Sequence, residues 1–95
     1  MRLRYTRRAL RYLHHARAFI GLRDPQAANR VIARIADGVE GLRLHPHRGR
    51  PGRIPGTRES VIPGTPDIAA YRIVGDAIEV LAVLHGARQW PGSDP

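Results

Sequence analysis

Residues 45–56, His-Pro-His-Arg-Gly-Arg-Pro-Gly-Arg-Ile-Pro-Gly, contain three prolines and three glycines. Proline lacks the backbone donor that helices and central strands need, and glycine gains little by being ordered, so the segment reads as a loop. It divides the chain into two parts with different apolar periods.

Ahead of the loop, Arg2-Leu3-Arg4-Tyr5 alternates polar and apolar as a short half-buried strand does. Thr6 then offers an N-cap, and Leu10, Leu13, Arg17 and Ile20 recur at three and four residues, with Ala9 and Ala16 beside them, so that one face of a helix over about residues 7 to 20 is apolar. Gly21 is a natural stop. Asp24-Pro25 predicts a second start, because aspartate caps free amides and proline at the first helical position gives up no bond it could have made. Ala28, Val31, Ile32, Ile35, Val39 and Leu42 carry that helix to about residue 43, across Gly38 and Gly41, each costing roughly 1 kcal/mol relative to alanine. So short a connection makes the pair an antiparallel hairpin.

Beyond the loop the period changes to two. Thr57 to Ile62 reads as a strand ended by Pro63-Gly64, and Ile68 to Val74 as another. Gly75-Asp76 suits a tight turn into Ala77 to His85, a strand apolar on both faces and therefore interior. The order strand, helix, helix, strand, strand, strand predicts an α+β domain, an antiparallel sheet covered on one face by the N-terminal helical hairpin. Leu10, Leu13, Val31, Ile32, Ile35, Tyr71, Ile73, Val80 and Leu81 or its strand neighbours are its expected core. A chain of 95 residues accommodates one such domain, here 1–95, with a short tail from about residue 89 to 95.

Composition narrows the chemistry. All 16 basic residues are arginine against 8 acidic residues, a net charge of +8 that attracts phosphate polymers or an acidic protein. Without cysteine there is no disulfide framework, zinc ribbon or thiol nucleophile. The longest apolar run, Val80 to Leu84, falls far short of the roughly 20 residues a membrane span needs. Arginines at 2, 4, 7, 8, 11 and 17 interrupt any secretory signal, so no membrane association and a cytoplasmic location are expected. His14-His15 and His45-x-His47 lack a third and fourth ligand, and neither a metal nor another cofactor is expected. Asp37, Glu40, Glu59 and Glu79 form no pair at acid–base spacing.

Several residues carry a functional and a structural reading together. His85, at a strand end, has an imidazole suited to acid–base work, or it hydrogen-bonds to the backbone. Arg58 and Arg88 meet at the sheet's open edge to grip a phosphate, or Arg58 pairs with Glu59 or another exposed carboxylate. Arg48, Arg50 and Arg53 follow a nucleic-acid backbone, or they are solvated loop charges. Trp90 is a stacking platform or a packed tail anchor.

Pro46-His47-Arg48-Gly49-Arg50-Pro51 after the helical hairpin, then Pro55-Gly56-Thr57-Arg58-Glu59, Tyr71-Arg72 and Val83-Leu84-His85-Gly86-Ala87-Arg88-Gln89-Trp90, resemble the RelE/ParE superfamily of toxins over nearly the whole chain. The resemblance implies the toxin component of a type II toxin-antitoxin module, partnered by a cognate antitoxin. It implies one of two targets, DNA gyrase or messenger RNA on the ribosome. Matched to the ribosome-dependent endoribonuclease branch, Arg88 agrees, but Pro63 stands where an arginine is expected and Trp90 where a tyrosine is expected. Neither can supply the missing chemistry, which favours the gyrase-directed branch. The resemblance leaves His85, Arg88 and Arg58 as catalytic candidates, and Arg48, Arg50, Arg53, Arg58, Arg88 and Trp90 as target-binding candidates.

Two other classes stay open on the residues alone. One is a helix-turn-helix DNA-binding module presenting Gln26, Asn29, Arg30 and Arg34, residue types that read base edges. The other is an accessory scaffold.

Overall fold

The computed structural model describes residues 1–86. Strand β1 (Arg2–Tyr5) leads into helices α1 (Arg7–Gly21) and α2 (Pro25–Leu44). The strands β2 (Arg50–Pro51), β3 (Arg58–Val61), β4 (Asp67–Val74) and β5 (Ala77–His85) follow. Both predicted caps form. Thr6 Oγ1 accepts from the amide of Ala9 at 3.2 Å, and the Asp24 carboxylate accepts from that of Ala27 at 3.0 Å with Pro25 opening the helix.

The sheet order is β1-β5-β4-β3-β2. Successive strands from β2 to β5 pair antiparallel, as expected, but β1 runs parallel to β5, with Arg2 opposite Ala77 and Tyr5 opposite Val80. The sheet is therefore mixed. The difference traces to the proline-rich segment, read from sequence as loop throughout: Arg50 and Pro51 form a two-residue edge strand opposite Glu59 and Arg58. That strand reverses the chain once more before β3, and β5 ends up running with β1. No helix among the described residues is long and apolar enough to cross a membrane.

The main core lies under the helices, where Ile35, Val39 and Leu42 of α2 meet Ile62, Tyr71, Ile78, Val80 and Val83. Leu13, Val31 and Ile73 pack against it half-buried, while Ile32 is half-buried outside this cluster. Leu10 departs from expectation at 43% exposure, because α1 approaches the sheet through Ala9, fully buried and about 100° around the helix. Of Leu81 and its strand neighbours, the main core takes the neighbours. The register shifts from Ala70 opposite Ala82 to Tyr71 opposite Val80, leaving Leu81 as the extra residue of a bulge that packs with Ala70, Ala82, Leu84 and Ile54 on the other face. Its carbonyl is not orphaned, since the Thr6 hydroxyl donates to it at 2.8 Å.

The two glycines inside α2 also gain a reason. A Cβ on Gly38 would stand 3.0 Å from Ile62 Cδ1, and one on Gly41 would stand 2.9 Å from Arg48 Nη1. Their helix-propensity cost is offset by close approach of the β3–β4 connection and of the basic loop.

Candidate functional site

The basic loop is fastened from below. The hydroxyl of Tyr71, a fully buried residue, donates to the Pro46 carbonyl at 2.7 Å and accepts from the Gly49 amide at 3.0 Å. A Cβ at Gly49 would lie 2.7 Å from that hydroxyl, so only glycine fits. Arg58, paired with Tyr71 across β3 and β4, donates from Nη1 to the Gly49 carbonyl at 2.8 Å and to that of His47 at 3.4 Å.

Arg58 does not pair with Glu59, because neighbouring strand residues point to opposite faces. Glu59, opposite Arg50 in the β2–β3 register, has only 1% of its side chain exposed. Its Oε2 accepts from the backbone amide of Arg53 at 2.9 Å, while Oε1 lies 3.3 Å from Arg53 Nε and 3.8 Å from Arg50 Nη2. The expected arginine group thus separates into three environments. Arg50 and Arg53 gather over Glu59, Arg48 folds back against Gly41, and Arg58 clamps the loop.

A second grouping of the same kind was not expected. Glu79 accepts from Arg72 Nε at 2.7 Å and from Arg4 Nη2 at 3.3 Å. Arg72 and Arg4 are its register partners on either side, and directly opposite residues share a face. Glu59 is likewise opposite Ala70, two residues before Arg72. Both carboxylates therefore lie on the face away from the helices, and each holds two guanidiniums, leaving a local charge of +1. The alternation of Arg2-Leu3-Arg4-Tyr5 carried a signal for Arg4, but its partner depends on long-range register.

At the far end of β4 lies a different cluster. Asp67, 4% exposed, accepts from the Tyr12 hydroxyl at 2.9 Å through Oδ1, and His85 Nδ1 lies 3.4 Å from the same oxygen. The Asp67 amide donates to Thr65 Oγ1 at 3.0 Å. His85 is thus oriented by a carboxylate rather than by backbone, with 65% of its side chain exposed. Asp67 and Tyr12 were absent from the sequence-based candidates. Arg58 and His85, two of the three catalytic candidates, are not brought together: their register partners Tyr71 and Asp67 are four residues apart on β4, about 13 Å at roughly 3.3 Å per residue. Arg88 and Trp90 lie outside the described residues.

Two of the would-be recognition residues of α2, Asn29 and Arg34, are engaged within the fold. Asn29 accepts from Arg17 at 3.2 Å, Arg34 reaches the Gly64 carbonyl at 3.4 Å, and the helix buries Ala28, Ile35, Val39 and Leu42 within the fold. That geometry displaces the helix-turn-helix reading.

With this geometry in view, residues 3–90 match the family model described as ParE toxin of type II toxin-antitoxin system, parDE. A protein of Sinorhizobium fredii (strain NBRC 101917 / NGR234), named "Putative toxin Y4kP", is 50% identical over 90 residues, covering 95% of this chain and 93% of that protein. Among solved structures, a chain of the chromosomal ParDE TA system from P. aeruginosa superposes with a TM-score of 0.82 at 26% identity, covering 90% of this chain and 96% of that one. A chain of the toxin-antitoxin complex RelBE2 from Mycobacterium tuberculosis gives 0.68 at 26% identity, covering 88% and 95%. On the extent of these matches and the shared α+β architecture, the chain belongs to the ParE family of toxins of type II toxin-antitoxin systems.

Proposed function

We propose that this toxin acts on DNA gyrase in the cytoplasm and is neutralised by an antitoxin encoded beside it. The observation that carries the gyrase reading is the separation of Arg58 from His85. A metal-free ribonuclease must stabilise charge on a pentacoordinate phosphate while moving two protons, so its cations and its acid–base group have to converge on one phosphate. Here the Arg58 guanidinium is engaged by the loop carbonyls at 47 and 49, and His85 sits beside Asp67 at the other end of β4. Pro63, without a side-chain donor, weighs the same way. The charges offered to the target are those of the open face, Arg50 and Arg53 above Glu59 and Arg4 and Arg72 beside Glu79. Support for the antitoxin comes from family membership, from the toxin-antitoxin assemblies of the structural relatives, and from a net charge of +8.

The test uses purified toxin in two assays, gyrase supercoiling of plasmid DNA and ribosome-dependent cleavage of messenger RNA, each beside Arg88→Ala. Supercoiling should be inhibited while the RNA stays intact. Codon-positioned RNA cuts that disappear in Arg88→Ala would overturn the gyrase reading and make Arg88 catalytic.

A further inference from the structure

The basic loop carries exposed arginines at 48, 50 and 53 on a backbone that the rest of the fold holds at close intervals. Tyr71 donates to the Pro46 carbonyl and accepts from the Gly49 amide, while Arg58 donates to the carbonyls of His47 and Gly49. Glu59 accepts from the Arg53 amide, and the Gly52 amide donates to the Thr57 carbonyl at 2.8 Å. A segment so rich in proline and glycine has no helix or long strand to order it, and a loose loop gives up conformational freedom when its side chains meet a target. Anchoring removes that cost beforehand.

Two of the anchors use chemistry that packing does not require. The Tyr71 ring lies in the main core, where phenylalanine would fill nearly the same volume, yet its hydroxyl gives both a donor and an acceptor contact to the loop. Arg58 carries a fork suited to carboxylate or phosphate, and that fork is turned onto two neutral backbone carbonyls. Gly49 lets the anchors close, since its buried position leaves a Cβ only 3.0 Å from the Glu59 carbonyl as well as against the Tyr71 hydroxyl. The contacts to neutral backbone thus face inward, and the charges of Arg50 and Arg53 are held outward over Glu59.

We infer that Tyr71 and Arg58 are positioning residues of this toxin: they fix the loop so that Arg50 and Arg53 meet the target already placed. Tyr71 is fully buried and cannot touch the target itself. The inference rests on the gyrase reading and deepens it, moving Arg58 from the surface that contacts the target to the support beneath that surface.

The test measures gyrase supercoiling inhibition by full-length toxin in wild type, Tyr71→Phe, Arg58→Lys and a core control, Ile35→Val, with circular dichroism at the assay temperature to show that each is folded. Hydrogen exchange at the Gly49 amide should speed up in Tyr71→Phe. The half-inhibitory concentration should rise by about 10-fold in Tyr71→Phe and Arg58→Lys, as for groups that misplace a contact from a distance, and stay within about twofold in Ile35→Val. On an Arg50→Ala/Arg53→Ala background the same two substitutions should add less than about twofold, because the side chains through which they act are gone. Faster Gly49 exchange with unchanged potency would overturn the inference, and so would an equal loss in Ile35→Val, which would trace potency to overall stability. Losses that persist in full on the background would make Arg58 a direct contact and overturn it too. A wild type that leaves supercoiling untouched would remove the gyrase reading, and the inference with it.

Discussion

Under the helices, the sheet meets Ile35, Val39 and Leu42 with Tyr71, Ile78 and Val80; on its opposite face, Ala70, Ala82 and Leu84 lie among carboxylates that each hold two arginines. The covered face is specified by volume, because its side chains must fill a space enclosed on all sides. The open face is specified by charge geometry. Small residues keep it shallow, and its two glutamates neutralise only half of the cations they gather. Glu59 and Glu79 therefore act less to reduce positive charge than to fix where it sits, since an arginine held by a carboxylate has fewer rotamers to lose when a target arrives.

The comparison can be broken first on the covered face. Ile35→Ala removes a fully buried side chain from the centre of the core and should cost about 2–5 kcal/mol in urea unfolding, with the midpoint moving and the slope unchanged. A loss within experimental error would mean that volume is not what holds this face. On the open face, Glu59→Gln keeps the shape and removes the charge that Arg50 and Arg53 share. It should cost about 1–3 kcal/mol and speed hydrogen exchange at the Arg53 amide, which donates to Glu59. Unchanged exchange there would show that the loop is placed by Tyr71 and Arg58 alone.

The smallest effect concerns ionisation. Burial, followed by the negative charge of Glu40, pushes the Tyr5 phenol above its usual value near 10. A group that holds its proton more tightly when folded adds stability that is complete below about pH 10 and lost as the pH rises through the folded value. Alkaline unfolding followed from pH 9 to 12 should show a steeper decline in the wild type than in Tyr5→Phe. Identical slopes would place the decline elsewhere.

Features encoded by neighbouring residues were legible in the sequence. Thr6 and Asp24-Pro25 announce both helix starts because a cap needs only the next three residues, and strand β5 follows from its own composition. Features encoded by distant register were not. Tyr12 and Asp67 are 55 positions apart, and no local pattern brings a helix hydroxyl to a strand-end carboxylate. Arg50 and Pro51 sit in a segment whose composition denies regular structure, yet a two-residue edge strand asks little of it: Pro51 belongs to an edge, where proline is tolerated. The bulge at Leu81 reverses which face the later residues of β5 present, so alternation alone left open whether that leucine or its strand neighbours fill the core.

The parallel pairing of β1 with β5 also has a consequence in time. On the ribosome the chain emerges from its N-terminus, and at roughly 5–20 residues per second the interval between Arg2 and Ala77 is on the order of 4–15 s. Helices α1 and α2 are complete early in that interval, but β1 lacks its hydrogen-bonding partner β5 until Ala77 and the residues after it are made. A nascent chain halted anywhere before Ala77 keeps its first strand as a loose end, with Thr6 lacking the Leu81 carbonyl it later holds. Among the described residues the sheet is closed by its first and last strands together, so β1 takes its place only once β5 has been made.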